Sequence, residues 1–205
     1  MISAIYNRYK AYYMPIARLA LPVLVGQLGM IVVGFADNIM VGRYSTEALA
    51  SASFVNNLFN AVIFFCLGFT YGITPLVGAL HARNEHYDIG RMMRSATLLN
   101  SIVSILITCL LGIIYFYLDR FGQPDELLPL IRPYYLLYLA GIIPITLFNV
   151  FAQWSYGIRN TWMPMVIVLA ANILNVGGNY ILIYGNLGAP ELGLTGAGIA
   201  TLIAR

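Results

Sequence analysis

Five stretches of this chain run for twenty residues or more with almost no charged side chain, and that constrains its fold more than any motif does. Crossing a hydrocarbon core of ~30 Å takes about 20 helical residues at a 1.5 Å rise. The stretches predict spanning helices over approximately 16–41, 48–80, 96–118, 134–154 and 163–184. A sixth opens at 194 and is incomplete at 205. Gly68, Gly72 and Pro75 are bending points in the second, and Pro144 lies inside the fourth. A membrane β-barrel would show ~10-residue segments of alternating polarity instead. The expected class is therefore all-α, a polytopic bundle of about six transmembrane helices. Twelve residues do not span a bilayer, so the chain reads as part of a longer protein whose sixth helix continues.

Composition agrees. Hydrophobic residues make up 60% of the chain and charged ones 9%, against about 25% charged in a soluble domain. A soluble protein of this size has too little interior for so much apolar surface, which leaves the lipid bilayer as its solvent. Nothing resembles a basic stripe with interleaved aromatics, so nucleic acid is not an expected partner. Cys66 and Cys109 lie in apolar runs and read as small apolar residues. His81 and His86 are five apart, without the i, i+4 spacing of a helical metal pair, and read as residues of a polar loop. No metal site is expected, apart from Na⁺ at the acid described next. The first apolar run exceeds a signal-peptide core and is read as a span.

Only one acid falls inside a complete apolar run. It is Asp37, toward the far end of the first helix. Ionisable groups within a membrane are costly and usually mark a pathway. Asn172, Asn175 and Asn179 share one face of the fifth helix, and Asn179 lies at about the depth of Asp37. Thr201 sits about 10 Å into the sixth helix. The second helix adds Asn56, Asn57 and Asn60 in the same half of the bilayer. Together they point to a polar pocket rather than to interhelical glue alone. Gln27, between Gly26 and Gly29, serves either helix packing or ligand contact. Tyr134, Tyr135 and Tyr138 form either an interfacial belt or a wall of the pocket that stacks on a cation.

The order of these residues resembles the MATE (multidrug and toxic compound extrusion) family, in its bacterial NorM-like branch. Pro22, Gln27 and Phe35-Ala36-Asp37-Asn38-Ile39-Met40-Val41-Gly42 stand where that family has Pro, Gln and a V-D-x-x-M-V/A-G ending. Leu49-Ala50-Ser51-Ala52, Thr74-Pro75 and Gly78-Ala79 are similar to its second-helix pattern. The run from Asn175 to Gly185 is similar to N-x-x-L-N-Y-x-x-I-x-G, and Gly196-Ala197-Gly198-Ile199-Ala200-Thr201 resembles G-A-A-x-A-T. The resemblance implies one lobe, residues 1–205, of a twelve-helix transporter. Its partners would be the bilayer, a C-terminal lobe and a small organic cation. It also implies an ion site at Asp37, Asn175, Asn179 and Thr201, to which Gln27, Asn57 and Tyr138 are added as ion- or substrate-binding candidates. Some relatives carry Asp at the position of Asn179, so a second titratable group is missing here.

The expected function is secondary active antiport, exporting organic cations, drugs or metabolites in exchange for H⁺ or Na⁺, with no other cofactor. A lipid-linked saccharide flippase of related architecture, or a membrane scaffold or sensor, is the alternative. An enzyme is not expected, since one intramembrane acid without a His or second acid offers no catalytic pair. Basic residues set the orientation. Arg8, Lys10, Arg18, Arg83, Arg91, Arg94 and Arg159 fall on one side, and Arg43, Arg120 and Arg132 on the other. That bias puts the N-terminus in the cytoplasm and the chain in the inner (plasma) membrane. In intact cells, an impermeant thiol reagent is expected to label Arg120→Cys and to leave Arg91→Cys unlabelled; the reverse pattern inverts the topology.

Overall fold

The computed structural model describes residues 2–205, with side chains from 13 onward. Arg8 and Lys10 lie outside the described side chains. The described residues form eight α-helices: α1 (Ile2–Tyr44), α2 (Thr46–Tyr71), α3 (Ile73–Ala82), α4 (His86–Tyr115), α5 (Leu128–Ala140), α6 (Ile142–Gly157), α7 (Trp162–Tyr184) and α8 (Gly193–Ala204). Among those residues no strand is present. Taken pairwise where they run on, α2–α3 and α5–α6 are single spans broken once. Five helical stretches are then long and apolar enough to cross a membrane, followed by the shorter α8.

Each break has a local cause. Pro75 has no N–H for the Tyr71 carbonyl, and α2 stops at Gly72; Pro144 has none for Ala140, and α5 stops at Gly141. Pro15 and Pro22 do not interrupt α1, nor Pro133 α5. α7 ends because Gly185 takes a left-handed conformation (φ 69°) that a side chain would resist. α2 starts at Ser45, whose side chain accepts from the Ala48 N–H at 2.9 Å.

Helix bounds differ from the sequence expectation: α1, expected from 16, already starts at Ile2. α1 runs on through Gly42 to Tyr44. α4 starts at His86, ten residues before the apolar run, so Arg91 and Arg94 sit on its first turns rather than in a loop. The fourth span begins at Leu128 instead of 134. In each case polar or interfacial residues extend a helix past the hydrocarbon, where hydropathy no longer reports it.

Polarity is arranged as lipid requires. Leu21, Phe64, Leu106 and Ile173 are exposed, whereas Asn100, Ser104, Thr146, Asn175 and Asn179 are buried. α7 packs along both α1 and α8, and small residues permit the close approach. Gly178 faces Ala200 so closely that an added Cβ would lie 2.9 Å from the alanine Cβ, and one on Gly196 would overlap the Leu182 carbonyl. The Leu192 N–H donates to that same carbonyl at 3.0 Å, which fixes the turn from α7 into α8. The helix ends are easily told apart. Phe54 meets Phe121 edge-on near the start of α2, and Tyr44 abuts Gly193. His81, His86, Trp154 and Ile158 gather at the opposite end. The one ion pair among the described residues, Arg132–Asp119 at 2.7 Å, is exposed at the Tyr44 end and worth about 0–1 kcal/mol.

Gly196→Ala is expected to destabilise the lobe by about 1–3 kcal/mol through overpacking. Gly177→Ala, on the same α7 but with open space around its Cβ, should change stability by less than about 0.5 kcal/mol. Thermal unfolding of the two variants in detergent checks the contrast.

Candidate functional site

Asp37 lies on α1 seven residues before its end, and α7 runs alongside. The Asn179 amide donates to the Asp37 carboxylate at 2.6 Å and reaches the Asn175 side-chain oxygen at 3.4 Å. Asn175 in turn donates to the Thr201 hydroxyl at 3.2 Å. One polar chain therefore runs from α8 through α7 to α1. Asn175 and Asn179 are four residues apart, which on a helix stacks them one turn above the other. Asn179 is fully buried, yet its side-chain oxygen has no hydrogen-bond donor. That unmet acceptor beside a carboxylate suits a proton or a small hard cation, whose preferred ligands are oxygens.

The pocket side of α5 is aromatic. Tyr134 and Tyr138 are buried with ring centroids 4.8 Å apart, and Phe59 of α2 closes on Tyr138 at 5.6 Å. The Tyr134 hydroxyl donates to the Asn56 side-chain oxygen at 3.4 Å. Both tyrosines stand within electrostatic reach of Asp37. Tyr135 turns the other way and donates to the Leu111 carbonyl at 2.7 Å, pinning α5 to α4. All three tyrosines are thus interior, and the interfacial-belt reading does not hold.

Of the residues singled out in the sequence, Asp37, Asn175, Asn179 and Thr201 meet in one network, with Tyr138 beside it. Asn57 does not join it: its side chain is exposed, and its neighbour Asn56 makes the contact with α5. Gln27 is also exposed, one residue beyond buried Gly26. Gly29 lies against Asn172 and Leu169, where an added Cβ would come within 3.0 Å of each, so the α1 glycine at that level serves packing.

Arg205 was missed. Its guanidinium sits 4.4 Å from the Tyr138 ring centroid, and Nη1 reaches the Tyr138 carbonyl at 3.4 Å. That carbonyl belongs to the last turn of α5, whose C-terminal end attracts a cation. Gly141 makes the seat, since a Cβ there would fall 2.6 Å from Nη1. The signal available in the sequence was an arginine about one helical turn past Thr201, at the end of an otherwise uncharged apolar helix.

A family model described as MatE matches residues 22–181. The chain is 30% identical over 182 residues to the "Probable multidrug resistance protein NorM" of Photorhabdus laumondii, covering 89% of this chain and 40% of that protein. It is 32% identical over 184 residues to the "Multidrug resistance protein MdtK" of Klebsiella pneumoniae, and 30% over 198 residues to the "Multidrug resistance protein NorM" of Vibrio cholerae. Those matches take in 89% and 96% of this chain, but 40% and 43% of the relatives. The chain thus spans about two fifths of the length of the curated relatives it matches. Among solved structures it superposes on an outward-facing multidrug resistance MATE family transporter of the MOP superfamily with a TM-score of 0.83 at 24% identity, over 93% of this chain and 42% of that one. A MOP superfamily transporter from Pyrococcus furiosus gives 0.82, likewise at 24% identity and 93% of this chain, with 41% of the other chain covered. These likenesses establish the fold, and the family match across most of its length makes the chain a member of the MatE family.

Proposed function

We propose that this chain is the ion-binding lobe of a secondary active antiporter, which exports organic cations in exchange for H⁺ or Na⁺. The observation that carries the reading is Asp37, an intramembrane carboxylate held at 2.6 Å by Asn179 from a second helix, with the unmet Asn179 oxygen beside it. The names of the relatives, multidrug resistance proteins, support export of drugs by the full-length protein. The orientation expected from the basic residues puts this pocket in the outer half of the membrane.

The work of the cycle falls to α1. Binding a proton or Na⁺ at Asp37 changes the charge that Asn179 solvates, and so alters the strength of the only side-chain hydrogen bond between Asp37 and α7. α1 is free to respond: Gly34, one turn before Asp37, has open space around it, and Pro22 removes one rung of its hydrogen-bond ladder. Repacking of α1 against α7 would then reshape the wall that a substrate sees. An aromatic pair at Tyr134 and Tyr138 offers faces for a cationic substrate, since cations are drawn to ring faces within about 6 Å. Alternating access requires a second lobe moving against this one around a site between them, and that lobe is the proposed partner.

In the full-length protein, Asp37→Asn is expected to abolish or strongly reduce drug export at wild-type levels of folded membrane protein. Asn keeps the size and the hydrogen bonding and removes only the titrating charge. For proton coupling, wild-type efflux falls as the outer pH rises, because fewer carboxylates carry the driving proton, while the variant responds little. For Na⁺ coupling, efflux tracks external Na⁺ instead. Efflux of a fluorescent cation from everted or intact vesicles reads both, and normal export by Asp37→Asn would remove Asp37 from the mechanism.

A further inference from the structure

At the end of the bundle opposite Tyr44, packing is tight on one side and fails on the other. α3 and α6 are pressed together there, and a Cβ added to Gly157 would lie 2.5 Å from the Val77 side chain. Beyond that contact, α4 and α6 leave an open cavity of about 550 Å³. Pockets that hold small organic ligands run to about 300–1,000 Å³, so the space is large enough for one. Met93, Phe151 and Trp154 make its walls apolar. Gly90 leaves it roomy, with nothing within 4 Å of where its Cβ would stand. His81 and His86 are the polar part of the lining, their rings 6.2 Å apart, and Nδ1 of His81 is buried without a hydrogen-bond partner.

Charge surrounds this apolar slot. Arg83, Arg91, Arg94 and Arg159 are exposed, and each lies within two residues of a residue that lines the cavity. Against these four arginines stand two acids, Glu85 and Asp88. Among the described residues none of the four arginines makes an ion pair; Arg91 instead stacks over Tyr87 at 5.3 Å. The first turn of α4 opens at the same place with no side-chain cap on its N–H groups, and such groups favour an anion. None of this is used by the Asp37 pocket, which belongs to the other half of the bundle.

An apolar slot beneath a cationic rim, at the level where spanning helices leave the hydrocarbon, has the two halves of one ligand chemistry. We propose that this cavity is a binding site for an anionic phospholipid, with an acyl chain between α4 and α6 and the phosphate among His81, Arg91 and Arg94. Basic pockets between transmembrane helices recognise anionic headgroups in this way. A zwitterionic lipid would fill the slot but leave the rim unneutralised, and an apolar solute would have no use for the rim.

Trp154 reports on occupancy directly. The full-length protein is reconstituted with phosphatidylglycerol or phosphatidylcholine carrying brominated acyl chains, and the Trp154 signal is taken as wild type minus Trp154→Phe. At equal mole fraction, brominated phosphatidylglycerol is expected to quench Trp154 more strongly than brominated phosphatidylcholine. Gly90→Phe, which fills the cavity, should lose the quenching by both lipids; Arg91→Gln combined with Arg94→Gln should lose only the preference. Equal quenching of the wild type by the two lipids would mean ordinary annular contact and would overturn the proposal. So would a preference that survives the arginine substitutions. If Gly90→Phe does not fold, as judged by gel filtration, the arginine pair decides alone.

Discussion

Water is absent from the hydrocarbon core, so every backbone N–H and C=O that leaves a helical ladder there must find a partner within the protein. That requirement explains why the break at Gly141 is buried inside the bundle. The Gly141 N–H divides between the Leu137 and Tyr138 carbonyls at 3.2 and 3.1 Å, and Arg205 supplies a further donor to Tyr138. At the α3–α6 contact, Thr74 donates to both the backbone and side-chain oxygens of Gln153, tying the second span to the fourth beside the Gly72 break. Tyr184 donates to the Met40 carbonyl at 2.8 Å and fastens α7 to α1 above the Asp37 pocket. Hydrogen bonds of this kind hold the helices in register, because burial of apolar surface drives little between helices when lipid is equally apolar.

The same requirement builds the site. α7 lies between α1 and α8, and its asparagines link the two: Asn179 donates to Asp37 and Asn175 to Thr201. α1 and α8 contribute one polar group each and α7 two, a turn apart, and the glycines at 29, 178 and 196 bring the backbones close enough for short side chains to meet. Ion binding and helix packing consequently share residues. A change at Asn179 acts on the carboxylate and on the α1–α7 contact together, which is a physical route from ion occupancy to helix position.

Much of the architecture was legible along the chain. Hydropathy located the spans, and the i, i+4 spacing of Asn175 and Asn179 with the matching depth of Asp37 anticipated the polar chain. Helix ends were less legible, since His86, Arg91 and Arg94 carry a helix beyond the apolar core where polarity resembles a loop. That Asn56 rather than Asn57 makes the contact with α5 was not legible for a different reason. One residue turns a helix by about 100°, and depth says nothing about azimuth. The tyrosines of α5 were ambiguous on the same ground, and only packing against Phe59, Leu111 and Asn56 shows that all three point inward.

Sequence by itself determined what is local: the length and polarity of each span, the proline and glycine breaks, and the depth of each buried polar group, because these follow from rise per residue and transfer into lipid. Tertiary structure alone decided which groups meet. It paired Asn179 with Asp37, seated Arg205 on Tyr138 against Gly141, and left the slot between α4 and α6 where His81 and Trp154 face the same space. Those outcomes depend on helix rotation and on contacts between residues far apart in the chain, and neither is encoded in the periodicity of any one segment.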